Sequence, residues 1–235
     1  MESTGKQRKH RFLKAELAVL VCVICIWAVK LVTGDIDSTK ASVLKQVVKI
    51  RPNSAAVHNL LGDAYSNLAN YDKAIDAYKK AIRIDPDDAD AYRHLADCYS
   101  LLGRNEEEIE AHKQVARIDP GDANASSLLA GCYIEGDRYE EAAETLRYLV
   151  RIAPNKAYIH LAVLGVHYRE AGHYEDAVAV YKQAIEIHPD MPGAHYLLAK
   201  TYLKMGDKDL ALDEYEIIKT LDEQSANELL SLIHE

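Results

Sequence analysis

Apolar residues fall into two patterns along this chain. From residue 17 to residue 32 they run almost unbroken, as LAVLVCVICIWAVKLV. From residue 38 onward they recur at steps of three and four, the spacing that lines one face of an α-helix. In residues 55–88, AAVHNLLGDAYSNLANYDKAIDAYKKAIRIDPDD, the first half places Leu61, Gly62 and Tyr65 on one face and breaks near Ala69-Asn70. The second half places Tyr71, Ala74, Tyr78, Ala81 and Ile82 on one face and ends at Asp85-Pro86. Proline disfavours helical geometry in the residue before it and lacks the amide hydrogen that continues the ladder. Asp87 or Asp88 can cap the next helix, because a short carboxylate accepts from the free amides of a first turn. The pattern predicts two helices in this stretch and an all-α chain.

The same stretch recurs. Pro52, Pro86, Pro120, Pro154 and Pro189 stand 34, 34, 34 and 35 residues apart. Tyr65, Tyr99, Tyr133, Tyr168 and Tyr202 run in step, and so does a turn series of Asn70, Gly103, Gly136, Gly172 and Gly206. A fixed period of this length marks a stacked array, in which each unit buries its apolar face against its neighbours. Successive first helices read AYRHLADCYSLLG, SSLLAGCYIEG, IHLAVLGVHYREAG and AHYLLAKTYLKMG, and second helices carry YEEAAETL, YEDAVAVYKQAI and LALDEYEII. With small residues such as Gly62 and Ala74 and the recurring tyrosines, this pattern resembles the tetratricopeptide repeat family over about residues 55–225. The resemblance implies a right-handed superhelical solenoid of antiparallel helix pairs, with repeats at 55–88, 89–122, 123–157, 158–191 and 192–223. One extra residue around Asn155–Tyr158 is expected to lengthen a single inter-repeat turn.

Departures from the pattern carry their own expectations. Glu108 stands where the second repeat should have a small alanine, and His112 where it should have an aromatic ring. Packing there is expected to loosen unless Glu108 packs its methylenes and keeps its carboxylate in water. Residues 224–235 read as a C-terminal capping helix, with Ser225 and Glu228 as a capping box and Leu229, Leu230, Leu232 and Ile233 as its apolar face. Residues 38–54 resemble a second helix with no first helix before it. That half-repeat is expected to cap the first repeat. Alternatively it leaves some of Val43, Leu44, Val47 and Val48 open to dock on a membrane or another protomer.

Charge separates the two ends. Residues 1–34 carry Lys6, Arg8, Lys9, Arg11, Lys14 and Lys30 against Glu2 and Glu16, while the whole chain is −9, which leaves −13 on residues 35–235. So acidic a body repels a phosphate backbone and excludes nucleic acid as a partner. The cysteines build no disulfide framework. Cys22 and Cys25 lie in the apolar run, and Cys98 and Cys132 occupy equivalent core sites 34 residues apart.

Repeats of this family present a concave surface lined by their first helices, so the resemblance implies a partner-binding groove. Its residues are Asn59, Asp63 and Asn67 in the first repeat, Arg93, Asp97 and Ser100 in the second, and Ser127, Gly131 and Ile134 in the third. Val166 and Arg169 follow in the fourth repeat, and Tyr196, Lys200 and Leu203 in the fifth. The series runs from polar and acidic through apolar to lysine-bearing, which suits a peptide of mixed character. The family's clamp for chaperone C-termini is excluded, because Asp63 puts the wrong sign opposite a carboxylate. His160, His167 and His173 are the densest histidine cluster, but no cysteine or carboxylate supports them at ligand spacing. No phosphate loop, haem motif or nucleophile motif is present, so no metal, cofactor or catalytic residue is assigned and the chain reads as a non-enzyme.

The apolar run remains. Leu17–Val29 is short enough for a signal peptide, whereas Phe12–Thr33 is about 33 Å of helix, enough to span a bilayer with Lys14, Glu16 and Lys30 near the interfaces. A single-pass helix at residues 15–33 behind a basic tail at 1–14 is favoured over a cleaved signal and a secreted chain. Five basic residues precede the run against Lys40 and Lys45 just after it, which favours a cytoplasmic N-terminus and repeats on the translocated side. The function these readings imply is a membrane-tethered scaffold for protein or peptide segments, capable of self-association. The alternative is a recruiting or regulatory subunit of an enzyme complex.

Overall fold

The structure is a computed structural model that describes residues 36–234. Regular structure among the described residues is helical throughout. The helices are α1 (Ile36–Ile50), α2 (Ala55–Asn67), α3 (Tyr71–Ile84), α4 (Ala89–Leu101), α5 (Asn105–Ile118) and α6 (Ala123–Glu135). They continue as α7 (Tyr139–Ile152), α8 (Pro154–Glu170), α9 (Tyr174–Ile187), α10 (Pro192–Met205), α11 (Lys208–Leu221) and α12 (Glu223–His234). The chain divides into two compact units, one ending at Ile118 and the other beginning at Asp119. In the first, each helix from α1 to α5 packs on the next, and α2 also touches α4. In the second, successive helices from α6 to α12 pack in the same way, and α6, α8, α10 and α12 touch in series. Each unit is therefore a stack of helix pairs.

Helix starts follow the aspartates. Asp88 accepts from the Ala91 amide at 2.9 Å, and Asp122 from the Asn124 and Ala125 amides. Two of the five turns inside the pairs differ from the sequence reading by one residue. The left-handed backbone falls on Ala69, Gly103, Asp137, Gly172 and Gly206, so Ala69 and Asp137, not Asn70 and Gly136, take the conformation that glycine prefers.

Core filling follows a size rule in the first four repeats. A β-carbon on Gly62 meets the Tyr78 ring at 2.4 Å, and one on Gly165 meets the Tyr181 ring at 2.5 Å. The equivalent pairs in the second and third repeats are Ala96 with His112 and Ala130 with Leu146, all buried. In these four repeats the small residue is glycine where a tyrosine is buried against it, whereas the fifth pairs Ala199 with a half-buried Tyr215.

Three expectations are corrected. The extra residue near Asn155–Tyr158 lengthens no turn. Pro154 opens α8 instead, because proline fits the first helical position where no amide donor is needed, and α8 grows to 17 residues. The capping box at Ser225 is displaced, since Asp222 accepts from the Gln224 amide and the Ser225 hydroxyl and α12 begins at Glu223. Glu108 does not keep its carboxylate in water: its side chain is 13% exposed, and Oε1 lies 3.9 Å from Nε2 of buried His112. That contact stands where the first and fourth repeats bury the Tyr78 and Tyr181 rings.

At the N-terminal end α1 buries Ala41, Leu44 and Val47 against α2, with Val48 packed on the same core. No helix among the described residues is long and apolar enough to cross a membrane. The anchor read at residues 15–33 and the basic tail at 1–14 lie outside the described residues.

Candidate partner-binding surface

In the first unit the groove residues of α2 are already committed within the chain. Asn59 donates to Asp88 at 2.6 Å, tying α2 to the cap of α4. Asp63 accepts from the Tyr78 hydroxyl at 2.8 Å and lies 3.4 Å from His94 Nδ1. Asn67 donates to Asp37 of α1. Burial, and next the bond to Asp63, push the Tyr78 phenol well above its ordinary range. On α4 Arg93 pairs with Asp90 at 2.5 Å, while Asp97 and Ser100 stand exposed.

The second unit is more apolar along its first helices. Ser127 bonds Nε2 of His160 at 2.8 Å, and burial lowers the His160 imidazole below its ordinary value. Gly131 lies against the same ring, 3.6 Å from Cε1. Ile134 is buried at 3% exposure and is corrected from groove residue to core. Val166 is half-buried at the position that Asp63 holds in the first repeat. The Tyr181 hydroxyl, equivalent to that of Tyr78, therefore finds no hydrogen-bond partner, and burial pushes its phenol up to about 12. Arg169 is mostly covered, with Nη2 3.9 Å from Glu170. The Lys200 ammonium sits 5.3 Å from the centre of the Tyr196 ring, a cation–π distance, beside half-buried Leu203.

Sequence reading missed the apolar residues that these helices expose. In the first unit Leu60 and Leu101 are 45% and 61% exposed. In the second Leu128, Ile159 and Val163 are 51%, 52% and 41% exposed. A signal was present: Leu60, Leu128 and Val163 each stand one residue before a core leucine, at Leu61, Leu129 and Leu164. A helix that needs one leucine for its core and carries two presents the second to solvent. The histidine cluster dissolves, since His160 bonds Ser127, His167 stacks near Tyr139, and His173 lies by Asp176. Neither Cys98 nor Cys132 is in a disulfide among the described residues, and burial raises Cys98 above its ordinary value.

Models described as tetratricopeptide repeat match residues 55–88, 77–110, 109–164 and 192–224, and one described as TPR repeat matches 165–206. No curated protein matches the chain. Among solved structures, a crystal structure of MamA protein aligns with a TM-score of 0.59 at 23% identity, covering 74% of this chain and 94% of that one. The crystal structure of YrrB, a TPR protein with an unusual peptide-binding site, aligns with a TM-score of 0.59 at 16% identity, covering 81% and 99%. MamA 41-end from Desulfovibrio magneticus RS-1 gives 0.53 at 17% identity, covering 72% and 96%. At these identities the likeness is one of fold. Matched segments run without a gap along the stacked helix pairs, and residues 55–224 of this chain are tetratricopeptide repeats.

Proposed function

We propose that the chain is a non-enzymatic scaffold that binds protein segments along its first helices while tethered to a membrane through residues 15–33. The observation that carries the reading is the set of exposed Leu128, Ile159 and Val163 on α6 and α8, beside buried cores that need none of them. Apolar groups grouped on a surface mark interaction sites rather than packing, and the peptide-binding site named for YrrB supports the same use of the fold. Arg169, Tyr196 and Lys200 add polar contacts in the second unit, while Asp97 and Ser100 serve in the first. The tether rests on the apolar run behind its basic tail, and the excess of basic residues before the run supports a cytoplasmic N-terminus with the repeats on the translocated side.

Two measurements test the reading. Leu128→Glu with Val163→Glu changes only exposed positions and should cut recovery of partners in a mild-detergent pull-down by about tenfold, the loss of one central contact cluster. Unchanged recovery moves the site off these helices. Carbonate extraction with N-terminal sequencing tests the tether, and a soluble chain starting near Asp35 removes it.

A further inference from the structure

A cavity of about 440 Å³ opens in the first unit between α1 and α3, with α2 as its floor. Its floor is His58, Leu61 and Tyr65, a face of α2 separate from the one that bears Asn59 and Asp63. Lys45 and Lys49 of α1 form one wall, and Lys73 and Lys80 of α3 the other, with Asp76 as the single carboxylate. The ammonium groups of Lys45 and Lys73 stand 5.4 and 5.8 Å from the centre of the Tyr65 ring. No ion pair among the described residues involves any of the four lysines. His58 is 5% exposed, and its Nε2 donates to the Pro52 carbonyl at 3.0 Å. Its Nδ1 is buried with no hydrogen-bond partner.

The fifth repeat contains the same device, completed. His195 is the equivalent histidine, and its Nε2 donates to the Pro189 carbonyl at 2.8 Å. Its Nδ1, however, meets the Glu214 carboxylate at 2.6 Å. The residue equivalent to Glu214 in the first repeat is Ala77, which lines the cavity. The lysine walls are also particular to the first repeat. Lys45 has a counterpart in Lys182, but Lys49, Lys73 and Lys80 correspond to Glu186, Leu210 and Ile217. Where the chain supplies its own carboxylate, the cation ring is missing; where the carboxylate is missing, the ring is present.

The geometry points to a docking site for an acidic segment of a partner protein, one of whose glutamates takes at His58 the place that Glu214 takes at His195. With Nε2 committed to the Pro52 carbonyl, Nδ1 is the ring nitrogen left to meet the partner's carboxylate. Lys45 and Lys49 are one turn apart and Lys73 and Lys80 two turns apart, roughly 6 and 10 Å along their helices, a spread that meets several carboxylates rather than one. Leu61, Val48 and Ala77 receive an apolar residue between them. The chain's own N-terminal segment has the wrong charge for this site, with six Lys/Arg against two glutamates in residues 1–34.

The test uses the full chain in neutral detergent micelles and a fluorescent peptide of alternating leucine and glutamate, with a glutamine version as control. The glutamate peptide should bind about tenfold more tightly than the glutamine one, the size of a charge-assisted hydrogen bond. Lys45→Ser with Lys73→Ser, both at exposed positions, should remove that advantage. Ala77→Glu should close the site by supplying the internal carboxylate, abolishing binding while the helical melting transition persists. In nitrogen-resolved NMR the His58 Nδ1 resonance should shift on addition of the glutamate peptide and stay unmoved by it in Ala77→Glu. Equal binding of the two peptides, no binding at all, or full binding by the lysine variant overturns the proposal. Binding of anionic phosphatidylglycerol vesicles through these lysines, with the peptide unbound, assigns the site to a membrane and equally overturns it.

Discussion

Ala69 holds a left-handed backbone, φ 52°, at the turn position where Gly103, Gly172 and Gly206 sit in other repeats. An L-residue with a β-carbon is disfavoured there by about 1–2 kcal/mol, so Ala69→Gly should stabilise the first unit by about 1 kcal/mol once the added freedom of the unfolded glycine is subtracted. A shift of the urea midpoint to higher concentration, with unchanged slope, is the expected result. Asp137 shares the conformation but accepts from the Tyr139 hydroxyl, so the same change there loses a bond while relieving strain. A second residue-scale contrast lies in the two tyrosines that face glycines. Tyr78→Phe removes the hydroxyl that Asp63 accepts from and should cost about 1 kcal/mol. Tyr181→Phe removes a buried hydroxyl that has no partner and should cost nothing or stabilise slightly. Equal losses at both sites in parallel denaturation curves would contradict the assignment of Asp63 as the difference.

Element boundaries show what the chain's periodicity carries and what it does not. The spacing of Leu61, Tyr65, Ala74 and Tyr78 placed the first pair as helices because core geometry dictates it, and α2 and α3 bury all four. Ends are decided by one or two hydrogen bonds, which periodicity does not encode. Hence Pro154 became the start of α8 rather than the end of α7, and Asp222 rather than Ser225 took the cap of α12. The Asp222 carboxyl is held below the usual carboxylate range, first by the Ser225 hydroxyl and also by the backbone amides of Ser225 and Gln224. A depressed carboxyl contributes its stability above its unfolded pKa and loses it only as pH falls through the lower folded value, so this cap survives mild acid. Asp222→Ala should therefore free the first turn of α12 at neutral pH, read as faster amide exchange at Gln224 and Ser225 with the exchange of α9 unchanged. Slow exchange retained in that turn would return the cap to Ser225.

On the scale of the molecule, the repeat was written in the sequence and the surface only partly. Asn59, Asp63 and Asn67 fitted the groove by position, but each was already spent on Asp88, Tyr78 or Asp37, partners that lie 15 to 30 residues away in the chain. Ile134 was a groove residue by family resemblance and is core. The lysine-walled cavity draws on three helices from Lys45 to Lys80, so no local motif announces it. Charge at this scale also fixes a pH response. His160 is kept neutral by burial, and its Nε2 is engaged with the Ser127 hydroxyl. Its folded pKa lies below the ordinary 6.5, so between the two values the unfolded chain binds a proton that the folded chain does not. Stability is therefore full above the unfolded pKa and falls as the solution is acidified toward the folded one. Urea midpoints taken at about pH 7.5 and about pH 5.5 should drop on acidification, and His160→Gln, which keeps a partner for Ser127 but does not titrate, should flatten part of that drop. A variant whose midpoints fall as steeply as those of the parent chain would show that protons enter elsewhere on unfolding and that the buried imidazole does not couple pH to the second unit.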